Sequence, residues 1–229
     1  MGVREGVRTE IPLGTDRPAR PQPISIVSES FLYMLRRSLP LWKLTRNRYG
    51  RAAYEALSAR GVTATRMYRY RRDLTGELPD PLPPDGVRFA VRDPEGLDPD
   101  EYADFADPVP EDVAVTADRD GEIVGYLFLT ADRPKSVEAL DATFEFEGAY
   151  VWRVFVDPSA RGEGIATALV ARALAAARET WAVASACALV AVDNRPSQWV
   201  FENNGFEREA VRSYWRVGPV ERRRRRGLD

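Results

Sequence analysis

Apolar and polar positions along the chain fall into short periodic runs punctuated by proline and glycine, and these runs predict the elements. Phe31, Leu32, Met34 and Leu35 follow Ser28-Glu-Ser30 at helical spacing, with a serine as cap and Pro40 as the stop. A second helix is expected from Trp42 or Thr45 through Ala59, ending at Gly61. Met67 to Leu74 alternates like a strand, with Tyr68 and Tyr70 on one face. Beyond the proline run 79–84, Val87 to Arg92 predicts a strand and Asp100 to Phe105 a short helix. Val113 to Thr116 and Glu122 to Leu129 predict a hairpin about Asp118-Arg-Asp-Gly121. Residues 131–148 read as a connection. Then come a strand at Tyr150 to Val156, an alanine-rich helix at Ile165 to Arg178, and a strand at 187–192. A short helix at Ser197 to Asn203 and final strands from Phe206 to Val217 complete the pattern.

Composition narrows the chemistry. The 229 residues are 44% hydrophobic and 30% charged, ordinary for a globular protein. No apolar run approaches the ~20 residues that span a bilayer. The first ten residues lack the apolar core of a secretory signal, so the cytoplasm is the expected location. The chain contains no histidine, which removes histidine triads, histidine metal sites and imidazole acid–base chemistry. No metal site is expected. The single cysteine, Cys187, sits in an apolar strand and reads as a buried, inert thiol. A net charge of −2 conceals an asymmetry: residues 1–80 carry +7, residues 81–220 carry −12 and the last nine carry +3.

The candidate chemistry lies where the strand ending at Val156 is stopped by Asp157-Pro158. Arg161-Gly162-Glu163-Gly164 follows, and the alanine-rich helix starts at once. A glycine turn that opens a helix presents free backbone amides and the positive end of the helix dipole, a place to hold phosphate. The spacing Arg161-x-x-Gly164-x-Ala166 resembles the acetyl-CoA signature of the GNAT superfamily of N-acetyltransferases, and Val156-Asp157-Pro158 resembles its lead-in. A second segment, Asn194-x-x-Ser197-x-x-x-Phe201-x-x-x-Gly205-Phe206, is similar to the family's later motif. The resemblance covers residues 86–218. It implies an α/β GNAT fold whose mixed central sheet splays at an acetyl-CoA site, to which the helices expected upstream add a helical N-terminal region.

It also implies roles for particular residues. The backbone of Val154, Phe155 and Val156 would bind the pantetheine arm. The amides of Arg161, Gly162, Glu163, Gly164, Ile165 and Ala166 would cradle the pyrophosphate, with Thr167 adding a hydroxyl and Asn194 holding the arm from the other side. The implied partners are acetyl-CoA, as co-substrate, and a primary amine on a small molecule or a protein. Two positions depart from the pattern. Phe201 stands where the family has a tyrosine that protonates the leaving thiolate, and a benzyl ring donates no proton. Leu189 stands five residues before Asn194, where some protein N-terminal acetyltransferases carry a glutamate. Glu145 and Glu147, just ahead of the central strand, are the candidates for a base; solvated edge charges are the plainer reading. Tyr150, Trp199 and Tyr214 are candidates for lining the pocket.

Two other readings stay open. The departures at Phe201 and Leu189 suit a catalytically degenerate module that binds acyl-CoA. The basic ends, with Arg36, Arg37, Lys43, Arg46, Arg48 and Arg51 at one and Arg222 to Arg226 at the other, suit a nucleic-acid surface. Docking of the first group onto the acidic domain is the favoured alternative, and the second reads as a solvated, disordered tail. The expected organisation is a flexible leader at 1–23, a helical extension with one strand at 24–85, the acetyltransferase domain at 86–218 and a basic tail at 219–229.

Overall fold

A computed structural model describes residues 62–80 and 82–228. The expected leader, the two N-terminal helices and the first basic group lie outside these residues. The strands are β1 (Val62–Asp73), β2 (Arg88–Arg92), β3 (Val113–Arg119), β4 (Glu122–Ala131), β5 (Lys135–Val137), β6 (Ala142–Phe144), β7 (Ala149–Val156), β8 (Ser185–Ala191), β9 (Glu207–Val217) and β10 (Val220–Gly227). The helices are α1 (Ile165–Trp181) and α2 (Arg195–Asn203). Eight strands form one sheet in the order β10-β9-β1-β8-β7-β4-β3-β2, and β5 pairs with β6 in a separate hairpin. Every neighbouring pair in the large sheet is antiparallel except β7 and β8.

The two faces of the sheet bury different things. On one face the alanine-rich α1 lies close, burying Leu169, Val170 and Leu174 against Val115, Leu127 and Val151. Each such large apolar side chain contributes about 1.5–3 kcal/mol by leaving water. Phe201 and Phe206, at and after α2, join the same cluster. The opposite face carries two smaller clusters. One gathers Leu140, Phe146, Tyr150, Cys187 and Tyr214; the other gathers Phe105, Tyr126 and Phe128; Trp152 packs against both.

Several expectations need correcting. The boundary expected at residue 86 does not separate two structures. Strand β1, assigned to the extension, lies inside the sheet with β8 on one side and β9 on the other. Tyr70 in β1 and Leu74 just after it are fully buried in the core. The run Arg222 to Arg226 is not a disordered tail but the body of β10, joined to β9 through Gly218-Pro219 with Gly218 at φ +56°. Glycine suits the first position of a two-residue hairpin loop. Arg223 pairs with Glu221 and Asp141, and Arg225 pairs with Glu209, which offsets the charge of one side of that strand. The helix expected at 100–105 is a single 3₁₀ turn at Ala103–Ala106, and the connection at 131–148 contains the β5–β6 hairpin.

That hairpin is pinned by Asp112, whose side chain is wholly buried. The carboxylate accepts hydrogen bonds from Thr130 and Arg133 and from the Val109 amide at 3.0 Å, and it lies 3.5 Å from Lys135 Nζ. Burial works to raise its pKa, but the hydrogen bonds and the Lys135 charge outweigh burial and hold it below the ordinary carboxylate range. A depressed folded pKa gives stability that is present above the unfolded value near pH 4 and lost as pH falls through the folded one. Asp112→Asn is therefore expected to cost about 3 kcal/mol at pH 7 by leaving the cations without their partner. Urea unfolding at pH 7 and pH 3 checks this: the gap between wild type and variant should narrow in acid, and a constant gap would contradict it.

Candidate active site

Parallel pairing between β7 and β8 runs only from Ala149, Tyr150 and Val151 to Ala186, Cys187 and Ala188. Beyond that point the strands part, although β7 continues to Val156 and β8 to Ala191. The cause is a bulge in β7. Phe128 pairs with Trp152 and Tyr126 with Phe155, so Arg153 and Val154 both stand opposite Leu127. An extra residue bends a strand and sharpens its twist. Arg153 takes a left-handed φ of +57°, strain of order 1–3 kcal/mol for a non-glycine residue. Its guanidinium is anchored by Asp104 at 3.1 Å and by Asp107. Gly125 on β4 leaves room beneath: a Cβ there would lie 3.1 Å from the Phe155 carbonyl oxygen.

The far side of the gap is held by α2. Gln198, fully buried, donates from Nε2 to the carbonyls of Ala191 at 3.1 Å and Val192 at 3.0 Å, gripping the end of β8. Asn204, also fully buried, donates from Nδ2 to the Thr167 carbonyl at 3.0 Å, tying the end of α2 to the first turn of α1. Both are polar residues where the helix turns inward; that is their only trace in the sequence.

The glycine turn lies at the end of β7. Gly162 and Gly164 have φ of +90° and +85°, and a Cβ on either would meet no atom within 4 Å. Glycine is needed there for its left-handed backbone, and the space above it is open. Gly164 is the N-cap of α1 and supplies no side-chain hydrogen bond, so the first-turn amides keep their donors. Neighbouring side chains turn away from the opening. Arg161 Nε donates to the Val156 carbonyl at 2.9 Å, and Glu163 pairs with Arg119, which holds its carboxyl below the usual range. Ile165 is buried, whereas Ala166 and Thr167 are half-buried on the exposed first turn.

The remaining candidates are placed as follows. Asn194 is exposed and caps α2, its Oδ1 accepting from the Ser197 amide at 3.3 Å. Phe201 is buried between Tyr70, stacked at 6.1 Å between centroids, and Phe206 at 5.1 Å. Tyr70 is the phenol against Phe201, yet its hydroxyl donates to Glu202 at 2.8 Å and accepts from Arg208 at 2.9 Å. Burial and then Glu202 push its pKa up to about 12, so it supplies no ready proton. Glu145 and Glu147 are exposed and precede the closed end of the β7–β8 pair; Glu147 lies 3.7 Å from Arg71. Seven residues of extended chain, about 23 Å, separate Glu147 from Val154. The structure therefore does not bring these carboxylates to the gap. Trp199 is exposed on α2, and Tyr150 and Tyr214 belong to the core, Tyr150 stacked on Phe146 at 3.9 Å. Cys187 is buried, and burial pushes its thiol up to about 12, an inert group as expected.

Among the described residues no three His, Cys, Asp or Glu side chains converge as a metal site, and no helix is long and apolar enough to cross a membrane.

Among the described residues the sheet thus opens at its only parallel pair, with an uncapped glycine turn at the end of β7. Residues 78–206, more than half the chain, match the acetyltransferase (GNAT) family, and the chain belongs to that family. Among solved structures it is similar to a GCN5-related N-acetyltransferase from Kribbella flavida, with a TM-score of 0.50 and 19% identity over 80% of this chain and 77% of that one. It is also similar to a tandem GNAT protein from the clavulanic acid biosynthesis pathway, with a TM-score of 0.50 and 18% identity over 76% of this chain and 60% of that one. The chain spans only 57% of a Drosophila protein and 58% of a Sphaerobacter thermophilus GCN5-related N-acetyltransferase that it also matches. At these identities the likeness is one of fold. No curated protein sequence matches the chain.

Proposed function

We propose that this protein is an N-acetyltransferase that uses acetyl-CoA and acetylates a primary amine by direct attack. The observation that carries the reading is the adjacency of the β7–β8 opening to the uncapped turn at Arg161 to Gly164. The residues present fit the cofactor: two left-handed glycines with open space above them and free first-turn amides suit a pyrophosphate. Acetyl-CoA supplies a thioester whose acetyl group passes to the amine, with release of the CoA thiol. Val154, Phe155 and Val156 have no strand partner on the β8 side, and the Val154 and Phe155 backbone is offered to the arm, the Val156 carbonyl being held by Arg161. Asn194, at the N-cap of α2 just beyond β8, would hold the arm from the other side.

Glu145 and Glu147 lie toward the closed end of the β7–β8 pair and the Tyr70 hydroxyl is engaged by Glu202 and Arg208, so this chain contributes positioning and backbone hydrogen bonding. The amine proton leaves to water. Calorimetric titration with acetyl-CoA, followed by a free-thiol assay with a pooled amine library, tests the reading. Binding with amine-dependent thiol release is the expected result, and absence of binding would overturn it.

The burial of Phe201 favours one second reading, a module that binds acyl-CoA without efficient transfer. Phe201→Tyr separates the two. The new hydroxyl would enter a closed aromatic cluster, so a loss of about 1–3 kcal/mol in stability and no gain in turnover are expected of a competent enzyme. A large rise in turnover would mean that the native chain is the degenerate form.

A further inference from the structure

The open face of the gap carries more positive charge than its own carboxylates answer. Immediately beyond the last β7–β8 pair come Trp152 on one strand and Leu189 on the other. Leu189 stands opposite Arg69 on β1, and Met67, two residues away on the same face, stands opposite Arg212 on β9. Met67, Leu189, Phe144 and Trp152 form a half-buried apolar wall. The guanidinium of Arg212 lies over the Phe144 ring at 4.5 Å, and Lys135 Nζ lies over Trp152 at 3.5 Å.

Lys135 is answered by Asp112, but the arginines are not matched. Glu209 is shared between Arg69 and Arg225, each at 3.3 Å. Arg212 has no hydrogen bond or ion pair among the described residues. The Nε atoms of both Arg69 and Arg212 are shielded from solvent and have no acceptor; beside Arg69 the Glu209 Oε2 is likewise without a hydrogen bond, which leaves Arg212 as the guanidinium with no carboxylate at hand. Buried donors ordinarily find one. Burial, together with the charges of Arg69 and Arg225, lowers the pKa of Arg212. A concavity of about 190 Å³ lies beside Arg212 on the β9–β10 side, lined also by Phe144, Tyr214, Arg223 and Arg225.

We propose that this face selects an acceptor amine that also carries a carboxylate, held by Arg69 and Arg212 about 5–10 Å from the amine, one to two strand spacings from the gap. The inference rests on the acetyl-transfer reading and names its substrate class. A guanidinium fork matches a carboxylate in two hydrogen bonds, and a bound anion supplies the missing acceptor. The same positive surroundings disfavour the ammonium form of the acceptor, which keeps its nitrogen neutral for attack where no base is at hand.

The test compares acetyl transfer to 6-aminohexanoate with transfer to 6-aminohexanamide, with acetyl-CoA titrated alongside. A preference for the acid of ~10–100-fold in kcat/KM, residing chiefly in KM, is expected from paired charge-assisted bonds. Arg212→Met should bring the ratio towards one, and Arg212→Lys should restore part of it. Equal use of acid and amide, or a ratio indifferent to Arg212→Met, overturns the proposal. Calorimetry with N-acetyl-6-aminohexanoate and its amide reads the anion site without turnover. Preferential binding of the acid by a protein that fails to bind acetyl-CoA would uphold the anion site while removing the transfer reading, and equal binding would overturn the anion site.

Discussion

A chain beginning at residue 86 will not fold, although the family motifs all lie beyond that point. It lacks β1, which pairs through Met67–Asp73 with β8 and through Val62–Arg71 with β9. Without it two facing strand edges open in the middle of the sheet, and inward edges are sites of aggregation. Tyr70 and Leu74 also leave the core, a loss of about 1.5–3 kcal/mol each. The Tyr70 hydroxyl takes with it the partner of Glu202 and Arg208, which fastens α2. Against a net stability of about 5–15 kcal/mol for a domain, these losses together are disabling. Far-ultraviolet circular dichroism and solubility of the truncated chain against the full one check this. A soluble, cooperatively melting product would show that β1 is dispensable.

Gly164→Glu should separate binding from folding. Any L-residue at φ +85° is strained by about 1–2 kcal/mol, but a Cβ there meets nothing, so the fold persists. The expected fall in melting temperature is about 2–8 °C. Acetyl-CoA affinity is expected to fall by ~100-fold or more, because the carboxylate stands over the amides that would face phosphate, and charged hydrogen bonds are worth about 1.5–3 kcal/mol each. Titration and thermal melting of the same sample give both values. Retained affinity would place the cofactor elsewhere, and a collapsed melt would make Gly164 a folding residue.

The two halves of the candidate site differ in how legible they were. The glycine turn could be read because its cause is local: Pro158 lacks an amide, Gly162 and Gly164 take left-handed angles, and alanine favours the helix that follows. The bulge at Arg153 left no such sign, since arginine at positive φ is imposed by Asp104, Asp107 and the register of β4. Glu145 and Glu147 were misplaced for the same reason: closeness in sequence to the central strand says nothing about which of its ends opens. Spacing draws attention to Phe201, yet only the stacking of Tyr70, from a strand more than a hundred residues upstream, closes its surroundings. The arginine run at the end was read by its charge alone, which overlooked that β9 needs a partner for its free backbone edge.

What the sequence by itself determined is the family, most of the element order and the position of the glycine turn, because each rests on neighbours along the chain and on restrictions of single residues. The tertiary structure alone decided where β1 enters the sheet, which end of β7 parts from β8, and the meeting of Arg69 with Arg212. These depend on pairings between distant segments, in which one residue of register shift moves a whole side-chain set to the other face.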